Sequence, residues 1–346
     1  MAYSGSGTQS DPYLVDNGYD LLQLCGGDGS THPGAYIKVT QDIDFAHESW
    51  YQGKITHSIR LDGTKLYADA LTEIKGLTVE AQCFLYIQSN SQTIENLYFK
   101  NCCHKVSGSQ FATIACYYPS AGSYTNQMVV NNCKFSLLVV SGASEGCLIF
   151  NNQSSGNGKW NNCSLYIKMN HTQPIYLCSH QQISATPSSP LCYMPFVNCN
   201  IVLDGIKLQY LHGQAYSAHY YGILRCVYDL YGRNVFGQFM GSSTSLVMKN
   251  AYINWVDGNK SPYVISNDSG STTYASDISG CSIVFDNCTV ASSWSDIYGL
   301  NAQTADTVNV VASTPNQNID TSYSTKKIST TDIKDKNYLI SIGFLP

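Results

Sequence analysis

Carboxylates, imidazoles and thiols are the side chains here that could carry chemistry, and they are thinly spread. The 346-residue chain has five Glu, at Glu48, Glu73, Glu80, Glu95 and Glu145. Acidic residues inside the recurring phrases and their connections include Asp204, Asp229, Asp257 and Asp286. Glycoside hydrolysis needs two carboxylates converging on one bond. Elimination from an acidic sugar needs carboxylates to hold calcium and a cationic base. Asp204 falls five residues after Cys199 and Asp286 two before Cys288, so a common repeat frame does not stack them. Of the three Arg (Arg60, Arg225 and Arg233), the last two flank Asp229 in sequence, the pattern of a surface ion pair. The residues assign no catalytic set, and the reading leans away from an enzyme.

Metal and cofactor chemistry are not expected either. His212 and His219 are seven residues apart and lack an acidic or Cys partner at fixed spacing. The fourteen Cys contain no Cys-x-x-Cys pair, and Cys102 and Cys103 are adjacent, which is not zinc spacing. The densest aromatic stretch is a candidate contact surface. It comprises Tyr210, His212, Tyr216, His219, Tyr220 and Tyr221, with Tyr228 and Tyr231 close behind. Tyrosine offers contact area with a polar tip, suited to a protein interface or a sugar face. The competing reading is tyrosines packed inside a broad turn of the fold.

Composition narrows the classes. The formal net charge is −5 and only 12% of residues are charged, about half the usual share. A mildly acidic chain with three Arg is a poor nucleic-acid binder. An apolar content of 43% is too high for disorder. No apolar run reaches the ~20 residues of a membrane span. Residues 1–12, MAYSGSGTQSDP, carry neither a basic nor an apolar stretch, so no signal peptide is expected. The thiols then read as small apolar residues buried in a protein made in a reducing cytoplasm.

One phrase recurs: an alternating strand, then Asn-Cys, then a second alternating strand. It appears at Asn101-Cys102, Asn132-Cys133, Asn162-Cys163, Asn198-Cys199, Asn250-Ala251 and Asn287-Cys288, in steps of 31, 30, 36, 52 and 37 residues. Periods of this size with self-similar strands indicate a solenoid. Each turn would lay short strands on those of the next, with alternate side chains pointing inward. Asn tolerates the left-handed backbone of a sharp corner and can bond its counterpart one turn above. Cys is small enough to pack inside that corner.

These phrases, with Ile94-Glu-Asn-Leu-Tyr-Phe-Lys-Asn-Cys102 as the clearest, resemble the right-handed parallel β-helix of the pectate-lyase-like superfamily. Residues 4–24 resemble the opening of β-helical phage virion proteins and bacterial surface adhesins, and residues 329–344 resemble their closing segment. The resemblance implies an all-β chain: a cap with a short helix over 1–35, a β-helix over 36–311 and a closing cap over 312–346. Asp20 and Thr330 or Thr331 are the expected helix N-caps.

The resemblance also implies a function: a structural or interaction component of a phage virion, such as a head fibre, a decoration protein or a tail fibre or spike. Partners would be further copies in a trimer, other virion proteins and a surface carbohydrate. A tailspike-like polysaccharide lyase or hydrolase, and a bacterial adhesin module, remain open alternatives.

Overall fold

In the computed structural model the described residues are 3–26, 32–87, 92–107, 112–117, 127–141, 147–152, 156–171, 176–180, 192–211, 225–228, 235–240, 243–256, 265–266, 281–290, 298–299 and 308–312. They form mostly strands, seventeen of which make one large sheet. Parallel pairing dominates. The antiparallel strand pair among the described residues is Arg225–Tyr228 against Val235–Met240.

Each strand pairs with one a few tens of residues further on, and the register is set by inward apolar side chains. One continuous row runs Ile43, Ile74, Phe99, Phe135, Leu165, Ile201 and Leu246. A second runs Tyr13, Ile37, Leu66, Ile94, Val130, Trp160 and Phe196. A slip of one residue would turn an entire row outward. The two rows meet inside the molecule. Phe99 stacks on Phe135 at 5.0 Å, Phe135 tilts against Trp160 at 5.5 Å, and Trp160 stacks on Phe196 at 5.0 Å. These four rings are all fully buried.

The helix Gly18–Cys25 packs Leu21, Leu22, Leu24 and Cys25 into the core. Its N-cap is Asn17, not Asp20. Asn17 Oδ1 accepts from Asp20 N at 2.9 Å, and Asn17 Nδ2 donates to Asp20 Oδ2 at 2.9 Å. Asp20 is therefore the reciprocal partner three residues in, which satisfies two polar groups of the first turn at once. Parallel pairing is already present before residue 36, where Tyr13–Val15 pairs with Tyr36–Val39. The last described strand is Val308–Ala312. Thr330 and Thr331 lie outside the described residues. No helix among the described residues is long and apolar enough to cross a membrane.

His104 occupies an inward position between Val79 and Val139. It is fully buried, and its Nε2 lies 3.1 Å from Ala81 O. Burial pushes its pKa down to about 4. The folded chain therefore keeps this ring neutral where the open chain, near 6.5, already takes a proton. Stability is expected to be full above pH 6.5 and to fall as the pH drops toward 4, by about 3 kcal/mol from this residue. Urea unfolding at a series of pH values measures this. A His104→Leu variant should show a flatter acid limb, and an unchanged limb would contradict the assignment.

Candidate functional site

All six Asn of the recurring phrase adopt left-handed backbone, with φ between +49° and +55°. They do not form one row. Asn132 stands over Asn96, not Asn101: Asn131 is in register with Glu95, and Asn132 Nδ2 donates to Asn96 Oδ1 at 3.3 Å. The row continues with Asn162 Nδ2 to Asn132 Oδ1 (3.2 Å) and Asn198 Nδ2 to Asn162 Oδ1 (2.6 Å). Its steps are 36, 30 and 36 residues. Ser243-Thr244 completes it, with Ser243 at φ +55° and Cys199 N donating to Thr244 Oγ1.

Asn101-Cys102 instead stacks on Gly76-Leu77. Gly76 N donates to Lys100 O at 3.0 Å and Cys103 N to Leu77 O at 2.9 Å. The upper phrases belong to a third row. Gly205 N donates to Lys249 O and Asn250 N to Asp286 O, both at 2.9 Å, so Gly205-Ile206, Asn250-Ala251 and Asn287-Cys288 align. Asn287 Nδ2 donates to Asn250 Oδ1 at 2.7 Å. The single frame expected from the sequence is thus three frames, because Gly fills a left-handed corner as readily as Asn.

This realignment changes the carboxylates. Asp204, Lys249 and Asp286 each precede their corner and share one row, with Lys168 beside Asp204. Asp204 and Asp286 therefore do stack, contrary to the sequence expectation, with a lysine between them. Gly205 has no amide to offer, and Asp204 takes its place: Asn250 Nδ2 donates to Asp204 Oδ1 at 2.8 Å. Tyr166 OH donates to Asp204 Oδ2 at 3.2 Å. The Tyr166 pKa is raised, first by burial and then by the Asp204 charge. Tyr166 is 42% exposed, so this network presents an aromatic face, an amide and a carboxylate to solvent. Such a set can hydrogen-bond a polyhydroxylated or peptide partner. The signal in the sequence was Asp204-Gly205, Lys249-Asn250 and Asp286-Asn287, legible only once Gly and Asn count as equivalents.

Other carboxylates serve the scaffold. Asp42 Oδ1 accepts from Glu73 N at 2.7 Å. Asp44 pairs with Lys75 at 2.9 Å and Glu73 with Lys100 at 2.6 Å. Seven ion pairs join residues between Lys38 and Lys100. Tyr98 has Lys100 and Lys134 over its ring at 5.7 and 5.9 Å. No group of three or more His, Cys, Asp or Glu among the described residues is placed to hold a metal.

Of the expected contact residues, Tyr210 lies in the strand Lys207–Leu211, in register with Trp255. Tyr228 lies in Arg225–Tyr228, opposite Val235. His212, Tyr216, His219, Tyr220, Tyr221 and Tyr231 lie outside the described residues.

The corner thiols face inward. Cys102, Cys133, Cys163, Cys199 and Cys288 are all at most 1% exposed. Each donates to the carbonyl two residues before it, at 3.2 to 3.6 Å. Burial pushes the Cys102, Cys133 and Cys288 thiols up to about 12. Cys163 is raised by burial and then by the neighbouring Cys199. Cys25, Cys83, Cys102, Cys103, Cys133, Cys163, Cys199 and Cys288 are free thiols.

No protein-family model matches the chain, and neither does any curated protein or solved structure.

Two outcomes are expected of these corners. Iodoacetamide at pH 8 should leave Cys102, Cys133, Cys163, Cys199 and Cys288 unlabelled in the folded chain and label them after denaturation, as read by peptide mass spectrometry; the reagent needs accessible thiolate. Labelling at the rate of an open thiol would contradict the geometry. In thermal melts, Asn162→Ala should cost about 2 kcal/mol, from a left-handed Ala and two lost amide bonds. Asn162→Gly keeps the backbone and should cost about half of that.

Proposed function

We propose that the chain is a single right-handed parallel β-helix with short terminal caps and that it serves as a structural or interaction component of a bacteriophage virion. The observation that carries the reading is the unbroken amide row from Asn96 to Asn198, with reduced thiols sealed beneath it. A stack whose corners from Asn96 to Asn198 bond to one another through side-chain amides, over free thiols, is a rigid rod suited to assembly in a reducing cytoplasm. The segment 4–24, which resembles the opening of β-helical virion proteins, supplies the strand and helix at one end of this stack. In this reading the outward faces contact sister copies in a trimer, other virion proteins and a surface glycan, with the tyrosine-rich stretch 210–231 as one contact surface.

The polysaccharide-cleaving alternative has one observation in its favour. Asp204 and Asp286 share a row, with Lys249 between them and Tyr166 beside them. Neighbouring strands lie ~4.8 Å apart, so two carboxylates two strands apart are spaced at the far end of what an inverting hydrolase uses.

Two measurements separate the readings. Sedimentation equilibrium should give a trimer. Incubation with acidic bacterial capsular polysaccharides should release neither reducing ends nor unsaturated sugars. Release that disappears in Asp204→Asn would replace the structural reading with the enzymatic one.

A further inference from the structure

The bend Asp62-Gly63-Thr64 joins the strands Ile59–Leu61 and Lys65–Lys75, with Gly63 at φ +72°. The next layer lies in register on both sides of it. Leu61 pairs with Ile87, Lys65 pairs with Thr93, and Thr93 N donates to Thr64 O at 3.1 Å. Gln92 therefore stands over Thr64, one strand spacing of ~4.8 Å away. Asp62 lies two residues before Thr64 in the layer beneath.

Side chains alternate along a strand, so Gln92 shares the inward face with Ile94. It is 1% exposed. Amides buried this deeply are ordinarily hydrogen-bonded. Here neither Oε1 nor Nε2 of Gln92 has a partner within the protein, and neither does Asp62 Oδ1, buried at the same bend. The other oxygen of Asp62 is held: Arg60 Nε donates to Asp62 Oδ2 at 3.1 Å.

We propose that this bend is an internal hydration site, in which ordered water links the Asp62 carboxylate to the Gln92 amide.

The open groups select the ligand. Asp62 Oδ1 and Gln92 Oε1 are acceptors, and Gln92 Nε2 is a donor. Their occupant must both donate and accept, and it must be small. A cation is not called for, because Arg60 already balances the Asp62 charge and Gln92 carries none. An anion would meet the Asp62 carboxylate. Water supplies two donors and two acceptors, and a buried water typically makes about three bonds to polar groups of this kind. The row around the amide is built from modest side chains. Ala35 and Thr64 lie below Gln92, Met128 lies above it, and Gly158, which has no side chain, lies above Met128. Thr64, Met128 and Ala35 are themselves buried, which closes the site from bulk solvent. This inference rests on the bend alone and does not depend on the proposed virion role.

The test uses the full chain carrying Gln92→Met, which keeps the length of the side chain and matches its neighbour Met128. If water bonds the amide, the substitution strips that water of partners and leaves Asp62 Oδ1 open. The urea midpoint should then fall by about 0.3 M. If the amide is dry, the substitution removes two unpartnered polar atoms from the interior, which stabilises the fold. An unchanged or raised midpoint would therefore overturn the proposal. If Gln92→Met fails to fold, a high-resolution crystal structure of the unaltered chain decides. It should show a water within ~3 Å of Asp62 Oδ1 and of an amide atom of Gln92, or two linked waters that span them. A bend with no water density beside either side chain would overturn the proposal.

Discussion

At the corners described here the chain passes from one strand to the next through a single residue with left-handed backbone. For an ordinary L-residue that conformation costs ~1–2 kcal/mol. Asn and Gly are the residues that meet the requirement most cheaply, and at every corner described here one of them stands, with Ser243 as the exception. The rest of the arrangement follows from that point. Once the backbone is left-handed, the Asn amide projects along the stack instead of into it and reaches the amide of the next layer. The residue after it turns inward into a tight angle, where a thiol, a methyl or a small branched chain fits: Cys133, Ala251 and Leu97 all fill such places.

The corner chemistry also explains the electrostatics. A carboxylate appears at a corner where the amide is missing, as Asp204 does beside Gly205. Elsewhere the polar outer rows divide by position along the chain. The early layers use ion pairs, such as Lys75 with Asp44 and Lys100 with Glu73. The later layers place Ser164, Asn200 and Ser245 in one outward row. The low overall charge is therefore a property of the later layers more than of the whole chain.

Much of this was legible in the residues. Strand alternation and the Asn-Cys phrase point directly to left-handed corners and inward thiols. The frame was harder to read. Asn96-Leu97 and Asn101-Cys102 are only five residues apart, and the first is the one beneath Asn132. Nothing local distinguishes them, because the choice is made by Phe99 stacking on Phe135 and by the extra residue absorbed after it. Gly205 and Ser243 hid two further corners, since neither carries the amide that marks the others. At the helix start, Asn17 and Asp20 are both capping residues, and only the backbone around Asn17, extended at φ −149°, settles which one caps. The Tyr166–Asp204 contact spans 38 residues and depends on the realigned frame.

Ser243-Thr244 carries one last consequence. The amide row from Asn96 stops at Asn198, because Ser243 has no amide to pass it on, and a separate row starts from Asp204 through Asn250 to Asn287. In the proposed solenoid, stacked repeats would lose structure by fraying from a neighbour already lost. A tear entering from either side would therefore run along one line of linked amides and arrive at a seam where the line ends and another, laterally offset, begins. The molecule has the construction of a laminate with staggered joints, in which a crack must change track to cross.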